Sequence, residues 1–317
     1  MHDRGLRSPH FDIVAIEPGT WAAIARDGGY ALCNAGIFDL GGRTVVFDTM
    51  LTPLAGGELR RAAERLTGRR PDLVVNSHWH GDHIRGNEAF RPAPIVATRT
   101  TRALVETQGP AQWRSDLRSM PRELRRLDAE DSDVPPRERA LYRGWFEGTL
   151  RVPRPFHLTP PDHAFEGRMT VVGDRRELEI VTYGGGHSPS DTFVHLPESH
   201  VVALGDLLTV GLHPSAGDGE PRRWAPMLRR VRALGVRIAL PGHGALAGPT
   251  ELGVVEGYLR GLVRRAVAAR RAGTSLRRLL ESPMPSAYRE WKFSAFYPDN
   301  LARAYDQARP TSGARRP

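Results

Sequence analysis

Apolar positions come in short alternating runs over residues 11–50, FDIVAIE, TWAAIA and NAGIFDLGGRTVVFD, the last divided by a turn at Gly41-Gly42. Period-two alternation bounded by turn residues predicts an N-terminal β-meander. The period then changes. In residues 52–68, Leu59, Ala62, Ala63 and Leu66 recur at helical spacing with Gly68 placed as a C-cap, which predicts a helix. PDLVVNS (71–77) and PIVAT (94–98) predict two short buried strands, with GNEAF between them as a polar turn or helix. Residues 101–152 are charged and helix-prone, broken at Pro121 and at Pro135-Pro136, and read as an inserted helical lid. Its Trp113, Tyr142, Trp145 and Phe146 suit the cover of a pocket for a small, partly apolar substrate. After an extended connector (152–161), RMTVVG, RRELEIVTY, TFVHLP and HVVALGD predict four more strands. A helix at 222–234, the strand RIALPG, amphipathic helices near 251–271 and 299–307, and a disordered tail TSGARRP complete the chain. Two halves emerge, each of strands followed by helices, without a short-period repeat.

Composition narrows the class. With 40% hydrophobic residues in 317, the chain can bury a substantial core as one large or two small domains. A net charge of +9 raises the question of an anionic partner. Yet Lys292 is the only lysine, so the surplus is arginine, as codon bias would produce, and many arginines sit beside Glu and Leu at helical spacing as a solvated face. Nucleic acid is therefore disfavoured as a partner. No run approaches the roughly 18 apolar residues of a membrane span, and the N-terminal residues have no apolar leader, so a cytoplasmic protein without a membrane partner is expected. Cys33 is the single cysteine and reads as a small buried hydrophobe, which leaves His and carboxylate to hold any metal.

Candidate chemistry concentrates in SHWHGDHIRGN, where His78, His80, Asp82 and His83 fall within six positions of a chain with 12 histidines. Neutral imidazole and carboxylate suit zinc, and a tight turn after a strand can splay His78 and His80 toward one ion and Asp82 and His83 toward another. Two ions need more ligands. His187 in YGGGHSPSD, Asp206 in VVALGDLL and His243 in LPGHG each follow a strand-like run into a glycine-rich turn. Elsewhere His157, His163, His195 and His200 read as surface or edge-strand residues, and His2 and His10 as part of a mobile N-terminus. His213, in TVGLHPSAGDG, can line a substrate pocket or support its loop.

In this order, HWHGDH (78–83), GGGH (184–187), LGD (204–206) and PGHG (241–244), together with FDT (47–49), resemble the metallo-β-lactamase-fold hydrolase superfamily over roughly residues 11–270. The resemblance implies an α+β fold, a four-layer αββα sandwich; the helical lid read above would be inserted in it at about 101–152, and residues 271–317 would be C-terminal helices and a basic tail on or trailing the same domain. It also implies two metal ions, zinc with iron or manganese as substitutes. His78, His80 and His187 would hold the first, Asp82, His83 and His243 the second, and Asp206 would bridge them. Asp48 would lie buried behind the ligand loop and orient it. A metal-bridging hydroxide would then cleave a small ester, thioester, lactone or amide, with Asp82 and Asp206 as the catalytic residues that handle its proton. Tyr183 and Ser188, beside the glycine turn, could donate to the oxyanion or serve packing and turn capping.

Departures from the branches of the family narrow the expectation. Asp206 and the plain N-terminus differ from the secreted β-lactamases, PGHG from the Gly-His-Glu of glyoxalase-type thioesterases, and His80 from the glutamate of flavodiiron relatives. An iron-dependent oxygenase or oxidoreductase on the same ligands, and a nucleic-acid phosphodiesterase, are the alternative readings. Neither substrate nor oligomeric state is encoded in these motifs.

Overall fold

A computed structural model describes residues 7–308, so His2 and the TSGARRP tail lie outside the described residues. Strands β1 (Phe11–Glu17), β2 (Thr20–Ala25), β3 (Ala35–Asp39) and β4 (Thr44–Phe47) form the expected antiparallel meander. Helix α1 (Pro53–Thr67) starts where the Thr52 side chain accepts from Ala55 N–H and stops at Gly68, whose φ of 74° is one that glycine adopts without a Cβ clash. Then come β5 (Leu73–Val75), the short α2 (Gly81–Ile84), a 3₁₀ turn at Asn87–Phe90 and β6 (Ile95–Thr98). The lid follows as α3 (Arg99–Thr107), α4 (Gly109–Asp128) and α5 (Pro136–Leu150), after which β7 (His163–Phe165) returns to the first sheet. The first sheet runs β1 to β7 in sequence order, parallel from β4 onward.

The second sheet has the order β12-β11-β10-β9-β8, from β8 (Arg168–Val172), β9 (Glu177–Gly184), β10 (Asp191–Leu196), β11 (Val201–Ala203) and β12 (Ile238–Leu240). Helix α6 (Pro221–Arg232) connects β11 to β12, and α7 (Pro249–Arg271), α8 (Leu276–Leu280) and α9 (Phe296–Gln307) end the described chain. Among the described residues no helix is long and apolar enough to cross a membrane.

Strand alternation accounts for the layering. On β4, Val45 and Phe47 face the second sheet while Val46 faces α1; on β10, Val194 faces the first sheet while Phe193 faces α6 and α7. The inner strands of each sheet therefore bury both faces, which explains near-continuous apolar runs such as TVVF and VVA. The result is an αββα sandwich, with one helix layer from α1 and the other from α6, α7 and α9.

Three local expectations need correction. Pro121 does not break the lid: α4 runs through it, because Trp113, Met120 and Leu127 on its inner side are buried and packing outweighs the one lost backbone bond. His10 is not in a mobile arm. It is buried, stacks on Tyr30 and accepts from Tyr30 N–H at 3.1 Å. His195 is neither at the surface nor on an edge strand: it is buried on β10, the central strand of its sheet, with Nδ1 3.0 Å from Glu179 Oε2.

Candidate metal centre

Four chain segments, each following a strand, bring the candidate ligands together. The turn after β5 supplies His78 and His80, and α2 supplies Asp82 and His83. His187 lies in the turn between β9 and β10, Asp206 in a 3₁₀ turn after β11, and His243 directly after β12. Their donor atoms fall into two adjoining sets, His78, His80, His187 and Asp206 in one, and Asp82, His83 and His243 in the other, with the donors of each set within 4.8 Å of one another. Asp206 faces both. Its Oδ2 is 3.4 Å from His187 Nε2, and its Oδ1 is 3.2 Å from both His83 Nε2 and His243 Nε2. Asp82 Oδ2 completes the second set at 3.3 Å from His243 Nε2 and 3.5 Å from His83 Nε2. Gly242 is required here, because a Cβ at that position would stand 2.0 Å from Asp206 Oδ1.

Every histidine of the cluster is held from behind, which fixes the nitrogen it turns inward. His78 Nδ1 meets Ser77 Oγ at 2.9 Å, His187 Nδ1 meets the Ser215 carbonyl at 2.9 Å, and His243 Nδ1 meets the Leu32 carbonyl at 3.0 Å. His83 Nδ1 meets Asp48 Oδ2 at 2.7 Å; Asp48 is fully buried and also accepts from Ser77 N–H and Ser77 Oγ, each at 2.7 Å. His80 is reversed. Its Nε2 lies 3.0 Å from Asp218 Oδ2, so Nδ1 is the atom that points inward, 2.9 Å from His187 Nε2. Cys33 is buried as expected, and its thiol donates to the Asp82 carbonyl at 2.9 Å.

The residues fit divalent cations. His83 Nε2 and Asp206 Oδ1 are buried without a hydrogen-bond partner even though they lie 3.2 Å apart, so both are aimed at common space rather than at each other. The ionisation preferences match a donor set. Burial lowers His78 well below its ordinary value, helped by His83, His80 and His187, and takes His187 down to about 4, which favours neutral imidazole. Burial opposes the carboxylate of Asp206, but His243, His83 and His187 hold it well below the usual range. Burial likewise opposes the charged form of His243, yet Asp206 and Asp82 push it up to about 10. A cation among these carboxylates would take the place of that proton.

A cavity of about 300 Å³ opens beside the ligands, lined by His80, Asp82, His187, Asp206 and His243. The lid contributes Gln112, Asp116 and Trp145 to it, and the C-terminal region Phe293 and Phe296. Of the other lid aromatics, Tyr142 and Phe146 are buried in an apolar cluster, and Trp113 lies under the Arg85 guanidinium, 4.8 Å from its ring centroid. The structure brings the seven candidate ligands and Asp48 together, but it does not bring the three expected pocket residues to this cavity. Tyr183 turns to the outer helix layer, packed on Phe193 under Arg230. Ser188 is buried with its hydroxyl donated to Asp191 Oδ1 at 2.7 Å. His213 is buried among Tyr258, Trp291 and Tyr297. Sequence reasoning missed Asp218, Arg85, Asp116, Phe293 and Phe296; for Arg85, its place two residues after His83 in the ligand loop was the available signal.

Fold and site together define a class, αββα sandwiches with a His/Asp cluster able to hold metal in the turns that follow their strands. A family model described as the metallo-beta-lactamase superfamily matches residues 28–243, and the chain belongs to that superfamily. A metallo-beta-lactamase type 2 from Bacteroides fragilis is 33% identical over 100 residues, a stretch that spans 30% of this chain and 40% of that relative. Among solved structures, a metallo-beta-lactamase from Pontibacter korlensis superposes with a TM-score of 0.58 at 18% identity, over 79% of this chain and 99% of that one. The metallo-beta-lactamase FIM-1 from Pseudomonas aeruginosa, in its mono-zinc form, gives 0.57 at 18% identity over 80% and 96%. At such identities these structures establish the shared fold.

Proposed function

We propose that this protein is a dinuclear zinc hydrolase acting on a small ester, thioester, lactone or amide. The observation that carries the reading is the pair of adjoining donor sets, with the two oxygens of Asp206 facing one set each. Divalent ions held there would supply Lewis acidity and a water acidified toward neutral pH. The chain's own residues do the remaining work. The outward partners of the five histidines fix their tautomers before substrate arrives. Asp82 and Asp206 line the cavity, so either carboxylate can take the proton released as water adds to the acyl carbon and return it to the leaving group. Trp145, Phe293 and Phe296 give the cavity an aromatic wall beside the centre.

The test combines metal analysis with a hydrolysis screen over lactones, thioesters, esters, β-lactams and phosphodiesters. Close to two zinc ions per chain and turnover of an acyl substrate are expected, both lost in His80→Ala and Asp206→Ala. Phosphodiester cleavage alone would favour a nuclease instead. Oxygen consumption by an iron-loaded protein would favour an oxidoreductase, since zinc is redox-silent.

A further inference from the structure

The lining of the metal cavity divides by chemistry, and the division bears on what the cavity accepts. Trp145 of α5, Phe293 and Phe296 form one aromatic surface: Phe293 stacks on Phe296 with centroids 5.0 Å apart and meets Trp145 edge-on at 6.1 Å. The same Phe293 ring is edge-on to the candidate ligand His243 at 6.5 Å, so the aromatic surface reaches the metal centre itself. Trp145 and Phe296 are only half-buried and present ring surface to the cavity.

The charges point the same way. Arg85 is the one basic side chain other than histidine among the described residues that line the cavity, and it is committed: its side chain is 3% exposed and ion-paired with Asp116. Asp116 and Asp218 add two more carboxylates to the wall beyond those of the candidate ligands. Away from the metal ions themselves, an anionic substrate tail meets no free basic side chain on this wall, whereas an uncharged apolar group meets a continuous aromatic face.

The backbone holds that face in place. Phe293 has a φ of 56°, a strained value for a residue with a Cβ. Neighbours on both sides enforce it. Lys292 N–H donates to the Gly211 carbonyl at 2.9 Å, the Lys292 carbonyl accepts from His213 N–H at 2.8 Å, and Ser294 N–H donates to Glu138 Oε2 of the lid at 3.1 Å. Strain retained by three separate contacts, on a ring that touches both ligand and cavity, marks a positioned recognition element.

We propose that the substrate is uncharged and carries an aryl ring or a short alkyl chain next to its scissile acyl bond, and that this group lies on Trp145, Phe293 and Phe296. The assignment rests on the hydrolase reading. In the reaction water adds across the acyl bond, a carbon–oxygen bond forms as the bond to the leaving oxygen, sulfur or nitrogen breaks, and the products are a carboxylic acid and the protonated leaving group. No oxidant or reductant is involved.

The experiment uses the zinc-loaded full chain and matched p-nitrophenyl esters with acetyl, hexanoyl, phenylacetyl and succinyl acyl groups. The phenylacetyl and hexanoyl esters are expected to exceed the succinyl ester in kcat/KM by about tenfold or more. Trp145→Ala and Phe296→Ala should each erode that preference while metal content stays at the wild-type level. Equal rates across the series, a preference for succinyl, or variants that keep the full preference would overturn the assignment. A second arm does not depend on turnover. Binding of 4-phenyl-2-butanone, against the anionic levulinate, is measured by calorimetry on wild type and both variants. If no ester is cleaved but the aryl ketone binds and Trp145→Ala abolishes binding, the hydrolase reading fails and the recognition surface stands. If esters are cleaved but the aryl ketone does not bind, the recognition surface fails and the hydrolase reading stands.

Discussion

Asp218 Oδ2 sits 3.0 Å from His80 Nε2, and this contact makes His80 the one histidine of the cluster that turns Nδ1 rather than Nε2 toward the other ligands. Asp218 belongs to the loop that also holds His187 through the Ser215 carbonyl, so a single loop orients two ligands of the first set. Replacing Asp218 by Ala frees the His80 ring to rotate. Metal affinity should fall by about 10- to 100-fold, in the range found for such outer partners. Competition against a chromophoric chelator measures it, with Asp218→Asn expected between wild type and Ala. Unchanged affinity in Asp218→Ala would remove Asp218 from this role.

Asp48 combines a strained backbone with three accepted hydrogen bonds. Its φ is 62°, and its carboxylate receives Ser77 N–H, Ser77 Oγ and His83 Nδ1 in a fully buried setting. Asp and Asn tolerate that φ better than Ala does. Asp48→Ala should therefore cost about 2–4 kcal/mol of stability, as buried donors lose their acceptor, whereas Asp48→Asn should fold with a smaller loss and weaker metal binding. Urea unfolding of the metal-free proteins reads the first effect. Equal stability of the Ala variant and wild type would contradict it.

What the sequence revealed and what it hid have physical causes that these residues illustrate. The inner strands were legible because both of their faces are buried, which leaves VVF- and VVA-type runs between turn residues. The seven candidate ligands were legible because closely spaced His and Asp after strand-like runs have few other uses. Asp218 was hidden because it sits in an aperiodic loop and meets His80 only across 138 positions. Phe293 and Phe296 were hidden for the same reason, lying fifty residues beyond the last motif in a segment that folds back onto the lid. Tyr183 misled because nearness in sequence to a glycine turn does not give nearness in space: on β9 its ring is directed at the outer helix layer, away from the cavity.

The lid is tied to the ligand loop by an ion pair between a buried guanidinium and a half-buried carboxylate. Arg85, two residues after His83, pairs with Asp116 of α4, approaches Thr149 Oγ1 of α5 at 3.4 Å and lies over Trp113. Asp116→Ala leaves that guanidinium buried and unpaired, which typically costs about 3–5 kcal/mol. Arg85→Met combined with Asp116→Leu removes both charges and should cost clearly less than the sum of the single changes. A double-mutant cycle in urea decides the matter, and additive single effects would mean that the pair does not couple lid to loop.

His213 makes stability depend on pH in a defined window. Burial lowers its pKa from 6.5 to about 4, with the Tyr288 carbonyl acting in the opposite direction and Arg137 reinforcing the fall. The groups that face it are the Tyr258 hydroxyl, the Tyr288 carbonyl, the rings of Trp291 and Tyr297, and the Arg137 charge; no carboxylate is among these contacts to stabilise an imidazolium. Because the folded pKa is depressed, the unfolded chain binds the proton first as pH falls. The contribution to stability is flat above 6.5, where both states are neutral, declines between 6.5 and about 4, and levels off at its lowest value once both states are protonated. His213→Gln keeps a donor and an acceptor without the titration. Its stability relative to wild type should rise as pH is lowered from about 7.5 to about 5, read as the difference in unfolding midpoint between the two metal-free proteins. A constant difference across that range would show that the folded protein does not depress the His213 pKa.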